Sequence, residues 1–155
     1  MPVSPIPAGY HSVTPYITVR NAARAIEFYK AAFGATEVLR FEMPGGVVAH
    51  AEIEIAGSRV MLADEMPEWG NCGPESLGGP TGGLCVYVAD PDAAVARAVA
   101  AGATVFKPAE TQFYGDRSGP VTCPFGHRWT LATHVEDVSV EEMYKRFASF
   151  ATPAA

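Results

Sequence analysis

The sequence has little that would tie it to nucleic acid, to a membrane or to a disulfide scaffold. Its 155 residues carry 11 Lys and Arg against 17 Asp and Glu, a formal net charge of −6, with no basic run. A nucleic-acid footprint needs clustered positive charge, so that class of partner is excluded. No stretch approaches the roughly 18 consecutive apolar residues of a transmembrane helix, and no membrane partner is expected. The first residues lack the charged start and apolar core of a signal peptide. The three cysteines, Cys72, Cys85 and Cys123, are odd in number and show no CxxC spacing. They read as free thiols of a cytoplasmic protein rather than as a zinc site or disulfide framework. Ser-His-Asp and glycine-rich phosphate-binding motifs are also missing, so nucleophilic and nucleotide chemistry have no support.

What is present is a repeat. Hydrophobic residues make up 48% and charged residues 18% of the chain, as in a single globular domain. Val19 to Thr36 and Val88 to Thr104 each run from the end of an apolar strand, through a polar start signal and an alanine-rich helix, to the same Gly-Ala-Thr exit. Further on, Gly57-Ser58-Arg59 matches Gly126-His127-Arg128, at the spacing that separates Val19 from Val88. Two copies indicate a pseudo-symmetric domain, because a solenoid needs about three or more repeats.

Within the first copy, Asn21 is placed to cap a helix whose Ala22, Ala25, Ile26, Tyr29 and Phe33 recur at helical spacing, and Gly34 ends it. Strands are predicted over residues 11–19, 36–43, 47–55 and 59–63. The second copy repeats the order, with strands over 84–88, 104–108, 118–123 and 127–133 around a helix opened by Asp90-Pro91. Residues 64–82 read as a long irregular loop. A last amphipathic helix over 139–150 buries Met143, Phe147 and Phe150, and Thr152 to Ala155 should fray. The fold class is therefore α+β: two tandem βαβββ modules forming a half-open barrel around a cavity, plus a C-terminal helix. The expected organisation is a tail over 1–10, one domain over 11–134 (modules 11–65 and 83–134, linking loop 66–82), and a helix and tail over 135–155.

Tyr16-Ile17-Thr18-Val19, Ala25-Ile26-Glu27-Phe28-Tyr29 with Phe33-Gly34, and Pro124-Phe125-Gly126-His127-Arg128-Trp129 form a specific set. In these segments the chain resembles the glyoxalase/bleomycin-resistance/extradiol dioxygenase superfamily, the vicinal oxygen chelate proteins. His50-Ala51-Glu52, Leu62-Ala63-Asp64-Glu65 and Tyr114-Gly115-Asp116-Arg117 resemble its glyoxalase-like branch often labelled demethylubiquinone methyltransferase-like. The resemblance implies a divalent metal held by one ligand from each of four strands. Those positions fall on Thr14, Met61, Gly83 (or Leu84) and Thr130, none of them an imidazole or carboxylate donor. The expectation is no standard metal and no cofactor.

Side chains alternate across a strand, so parity assigns faces. Thr14, Tyr16, Met61, Tyr87, Arg128 and Thr130 fall on the cavity face, a lining suited to a small aromatic or partly apolar ligand. Tyr114 and Arg117 sit in a polar loop that reads either as an ordinary turn with an Asp–Arg pair or as a lid whose Arg117 clamps an anionic group. His50 and Glu52 share one face of the third strand. They are either the solvated rim of a half-open sheet or a catalytic pair, and a buried Glu52 would have a raised pKa. The main expectation is a ligand-binding homodimer. The alternative is a lyase, isomerase or dioxygenase using His50 and Glu52 as acid–base or metal groups. A third reading, an interaction domain with a filled interior, predicts no pocket between the modules.

Overall fold

A computed structural model describes residues 3–151; the fraying expected of Thr152 to Ala155 lies outside them. Two sheets of similar order emerge, as the repeat requires. In the first, β1 (Tyr16–Val19) pairs in parallel with β4 (Ser58–Asp64), which continues antiparallel to β3 (Val47–Ile55) and β2 (Thr36–Met43). In the second, β5 (Gly83–Tyr87) pairs in parallel with β9 (Arg128–His134), followed by β8 (Asp116–Thr122) and the short β6 (Thr104–Val105). A two-residue strand, β7 (Glu110–Thr111), also pairs with β8. Among the described residues no strand closes either sheet into a barrel.

The helices begin and end where the sequence marks them. In α1 (Ala22–Phe33) the Asn21 side chain accepts the Arg24 amide at 3.2 Å, and Gly34 stops the helix at φ 68°, a backbone region glycine enters without cost. In α3 (Pro91–Ala100) the Asp90 side chain accepts the Ala93 amide at 3.0 Å.

The segment read as an irregular loop is more ordered than expected. It holds a 3-10 turn (Pro67–Trp69), a short helix α2 (Pro74–Leu77) and a bridge between Met66 and Asn71. The cause is Glu65, whose carboxylate accepts from the Ser76 hydroxyl, the Arg20 guanidinium and the Gly73 amide. These bonds hold its pKa down to about 2. Periodicity cannot reveal such an anchor, because Gly73 and Ser76 open α2 while Arg20 lies 45 residues before Glu65.

One core serves both modules. Trp129, on the helix side of β9, lies 5.2 Å from the Tyr29 ring and 4.8 Å from the Phe33 ring of α1. Phe28 meets Phe125, and α1 packs on α3. His127 reaches across to the Thr18 carbonyl at 2.9 Å, and burial pushes its imidazole pKa down. The helix-bearing faces of both sheets thus converge on one interior. The opposite faces stay open, with Tyr16 53% and Tyr87 60% exposed.

The last helix, α4 (Val140–Ala151), is tied down by Arg146, which grips both Glu136 oxygens at 2.9 and 2.8 Å. Phe113 meets Phe147 and Phe150, but neither is buried, contrary to the sequence expectation. The helix rests at the edge of the domain, too far out for its apolar side to enter the core.

Candidate functional site

The predicted site residues divide among four places. The first is the open face of the first sheet, where His50, Glu52 and Met61 stand beside Tyr16; Glu52 pairs with Met61, and Met61 with Tyr16. Glu52 is only 6% exposed, so the solvated-rim reading does not describe it. A chain of hydrogen bonds runs through this group. The Tyr16 hydroxyl meets His50 Nδ1 at 3.1 Å, and His50 Nε2 meets Glu52 Oε1 at 3.2 Å. The partners assign the tautomer: Nε2–H donates to the carboxylate and Nδ1 accepts from the tyrosine. The His50 ring lies between the Tyr16 ring at 5.5 Å and the Phe41 ring at 6.3 Å.

Tyr10 completes the group. Its hydroxyl donates to Glu52 Oε2, and its ring lies beneath the Arg59 guanidinium, 5.4 Å from Cζ to the centroid. Nothing in the sequence signals this contact. Tyr10 reads as tail, and 42 residues separate it from its partner. The Glu52 pKa is lowered, not raised as its burial alone would make it. Burial does push its carboxyl up, but the hydrogen bonds from Tyr10 and His50, with the charge of Arg59, outweigh it and leave the pKa below the ordinary value. A buried carboxylate with both oxygens satisfied is stabilised in its charged form.

The second place lies between the modules. A cavity of about 500 Å³ opens along β5, lined by Thr14 and Arg59 from the first module and by Gly83, Cys85 and Tyr87 from the second. Its existence counts against the filled-interior reading. The third is a cavity of about 320 Å³ on the open face of the second sheet, lined by Phe106, Tyr114, Ser118, Arg128 and Thr130. Here Arg128 stacks on Phe106, with Cζ 3.3 Å from the ring centroid. The strand expected over residues 104–108 is only Thr104–Val105, and Phe106, just beyond its end, belongs to this site.

Arg117 stands apart from all three. Asp116 and Arg117 open β8 instead of lying in a loop, so they point to opposite faces. Arg117 takes both oxygens of Asp92 at 2.7 Å, at the start of α3. Asp116 accepts from the Tyr87 hydroxyl and meets His134 Nδ1, both at 2.8 Å. The expected turn with an Asp–Arg pair is therefore replaced by an Asp116–His134 pair.

That pair yields a pH prediction. The His134 hydrogen bond lowers the Asp116 pKa, burial opposes it, and Tyr87 adds to the lowering. The His134 pKa is raised by Asp116 and then by Asp137. Asp116 stabilises the fold above its unfolded pKa, near 4, and this is lost as pH falls through its lowered folded value. His134 stabilises the fold below its unfolded value near 6.5, and this is lost as pH rises through its raised folded value. The contribution of this pair should therefore be greatest between roughly pH 4 and 6.5 and should decline as pH rises through the raised His134 value. His134→Gln should flatten the decline, as read from urea midpoints at pH 6 and 8.

The positions that the resemblance assigns to a metal do not suit one. Thr14, Met61, Gly83 and Thr130 supply two hydroxyls, a thioether and no side chain, where imidazole or carboxylate donors are needed. Among the described residues no group of three or more His, Cys, Asp and Glu side chains is placed to hold an ion.

Comparison with known proteins supplies the family. The pattern of the glyoxalase/bleomycin resistance protein/dioxygenase superfamily matches residues 9–131. An uncharacterized protein of Mycobacterium bovis is 41% identical over 143 residues, covering 89% of this chain and 93% of that protein. Among solved structures, TioX from Micromonospora sp. ML1 is 27% identical with a TM-score of 0.63, covering 81% of this chain and 99% of its own. An Arabidopsis thaliana gene product is 29% identical with a TM-score of 0.61, covering 79% and 98%. The fosfomycin resistance protein FosX from Listeria monocytogenes, at 17% identity and a TM-score of 0.61 over 86% and 97%, shares the fold. With its duplicated modules and a family pattern spanning both, this chain belongs to the glyoxalase/bleomycin resistance protein/dioxygenase superfamily.

Proposed function

We propose that this chain binds a small aromatic or partly apolar molecule in the cavity between its modules and on the adjoining open faces, as a homodimer and without the divalent metal common in its superfamily. The single observation that carries this reading is the lining of the first open face. Two tyrosines, a histidine held between aromatic rings and one ionised carboxylate share this face with Met61, a position that the resemblance assigns to a metal ligand. Apolar walls with a few fixed polar groups describe a small-molecule site. The dimer is supported by the same faces: a second copy would cover the exposed Tyr16, Phe41, Tyr87 and Phe106.

The test is titration of the protein with aromatic compounds, before and after dialysis against a chelator, with mass measured by light scattering. Binding that survives chelation in a species of twice the chain mass is expected. Binding that requires one tightly held divalent ion per chain, with lyase, isomerase or dioxygenase turnover, would overturn the reading.

A second reading has its own observation. The Tyr16–His50–Glu52 chain orients an imidazole through a carboxylate, the arrangement by which an acid–base catalyst fixes its tautomer. If His50 and Glu52 are catalytic, Glu52→Gln should lower turnover by about 100-fold or more while leaving ligand affinity nearly unchanged. A proportionate loss of affinity instead assigns them to binding.

A further inference from the structure

We infer that Tyr10 fills a phenol subsite on the open face of the first module, and that the ligand of this face is a hydroxylated aromatic that displaces it. The inference rests on the aromatic-binding reading above and names the class of ligand. Three features of the contact support it.

The first is the pairing. The Tyr10 hydroxyl donates to Glu52 Oε2, while His50 occupies the other oxygen. A buried carboxylate with one oxygen committed to the protein presents the other to a donor. A phenol offers one O–H, where an unsubstituted ring offers none. The second is the ring environment. The Tyr10 ring faces the Arg59 guanidinium, a cation–π arrangement available to any ring in that place. Arg59 Nε and Nη1 are buried and have no hydrogen-bond partner among the described residues, so the cation is presented to the ring without an anionic acceptor on those atoms.

The third is the tether. Gly9 has φ 84°, and a Cβ there would stand 3.2 Å from Arg59 Nη2, so the glycine lets the segment pass close over the guanidinium. Around this contact the segment has little hold. The Tyr10 amide bonds only to Pro7 within its own turn, and residues 3–9 are exposed. One side chain therefore seats the segment, and a ligand with the same groups competes with it directly. An internal occupant lowers apparent affinity by the fraction of time the site is open.

The probe is p-cresol, which is the tyrosine side chain itself, with toluene as the ring lacking the hydroxyl. Calorimetric titration of the full chain should show Tyr10→Ala binding p-cresol about tenfold more tightly than the unsubstituted protein. In Tyr10→Ala, p-cresol should bind at least about tenfold more tightly than toluene, the scale of a hydrogen bond to a charged acceptor. Adding Glu52→Gln should remove most of that preference. Equal p-cresol affinity with and without Tyr10 would overturn the inference. Equal affinity for p-cresol and toluene would also overturn it while leaving the broader aromatic-binding reading in place. No binding of either compound by any variant would defeat both.

Discussion

Gly115→Ala is expected to destabilise the protein by about 3–5 kcal/mol, although it adds one methyl group at a turn. Gly115 has φ 98°, where an L side chain is strained, and a Cβ built there falls 2.1 Å from the Glu136 backbone carbonyl. That contact cannot relax by a rotamer change, because the obstacle is main chain. The segment that must retreat is also bonded to Gly115: its carbonyl accepts the amides of Val135 and Glu136 at 2.9 and 3.0 Å. Displacement would cost those bonds and disturb Asp116 and His134, which flank them. For a chain of this length the melting temperature should fall by roughly 10 °C. Calorimetry checks it; a fall of under about 2 °C would show that the turn is free to move.

Trp129→Ala should cost a similar amount, about 3–5 kcal/mol, for a different reason. The indole is 1% exposed and stands between the modules, against Tyr29 and Phe33 of the first helix. Truncation opens a cavity at the junction of two sheets whose own hydrogen bonds hold them too rigid to collapse into it. The expected signature is a large drop in urea midpoint, with Trp129→Phe losing much less because a ring still fills the space. If Trp129→Ala left the midpoint unchanged, the two modules would not share a cooperative core.

These two residues also show how unevenly the sequence can be read. Trp129 was legible: parity along β9 sends it to the helix side, and it is buried there. β2 and β3 were legible to the residue, because the Pro44-Gly45-Gly46 turn and strand alternation bound them. Gly115 could be seen only as a turn residue, since the carbonyl it must clear lies some twenty residues onward. Glu52 was legible as sharing one face of β3 with His50, but neither its burial nor its lowered pKa could be read there. Alternation assigns a face, whereas a pKa depends on which donors arrive from elsewhere. Arg117 misled for a related reason: the Tyr114-Gly115-Asp116-Arg117 run looks like a loop, yet the strand begins inside it and turns Arg117 toward α3.

The helix caps and the alternation of strand residues were determined by the sequence itself, because each depends on contacts within a few positions along the chain, and the repeat is the matching of two such runs. The direction of the open faces was decided only in three dimensions, since it follows from α1 and α3 packing on one core. So were the anchoring of residues 65–76 by Glu65 and the seating of Tyr10 on Glu52. Each joins groups brought together by folding, and spacing along the chain carries no record of such a meeting.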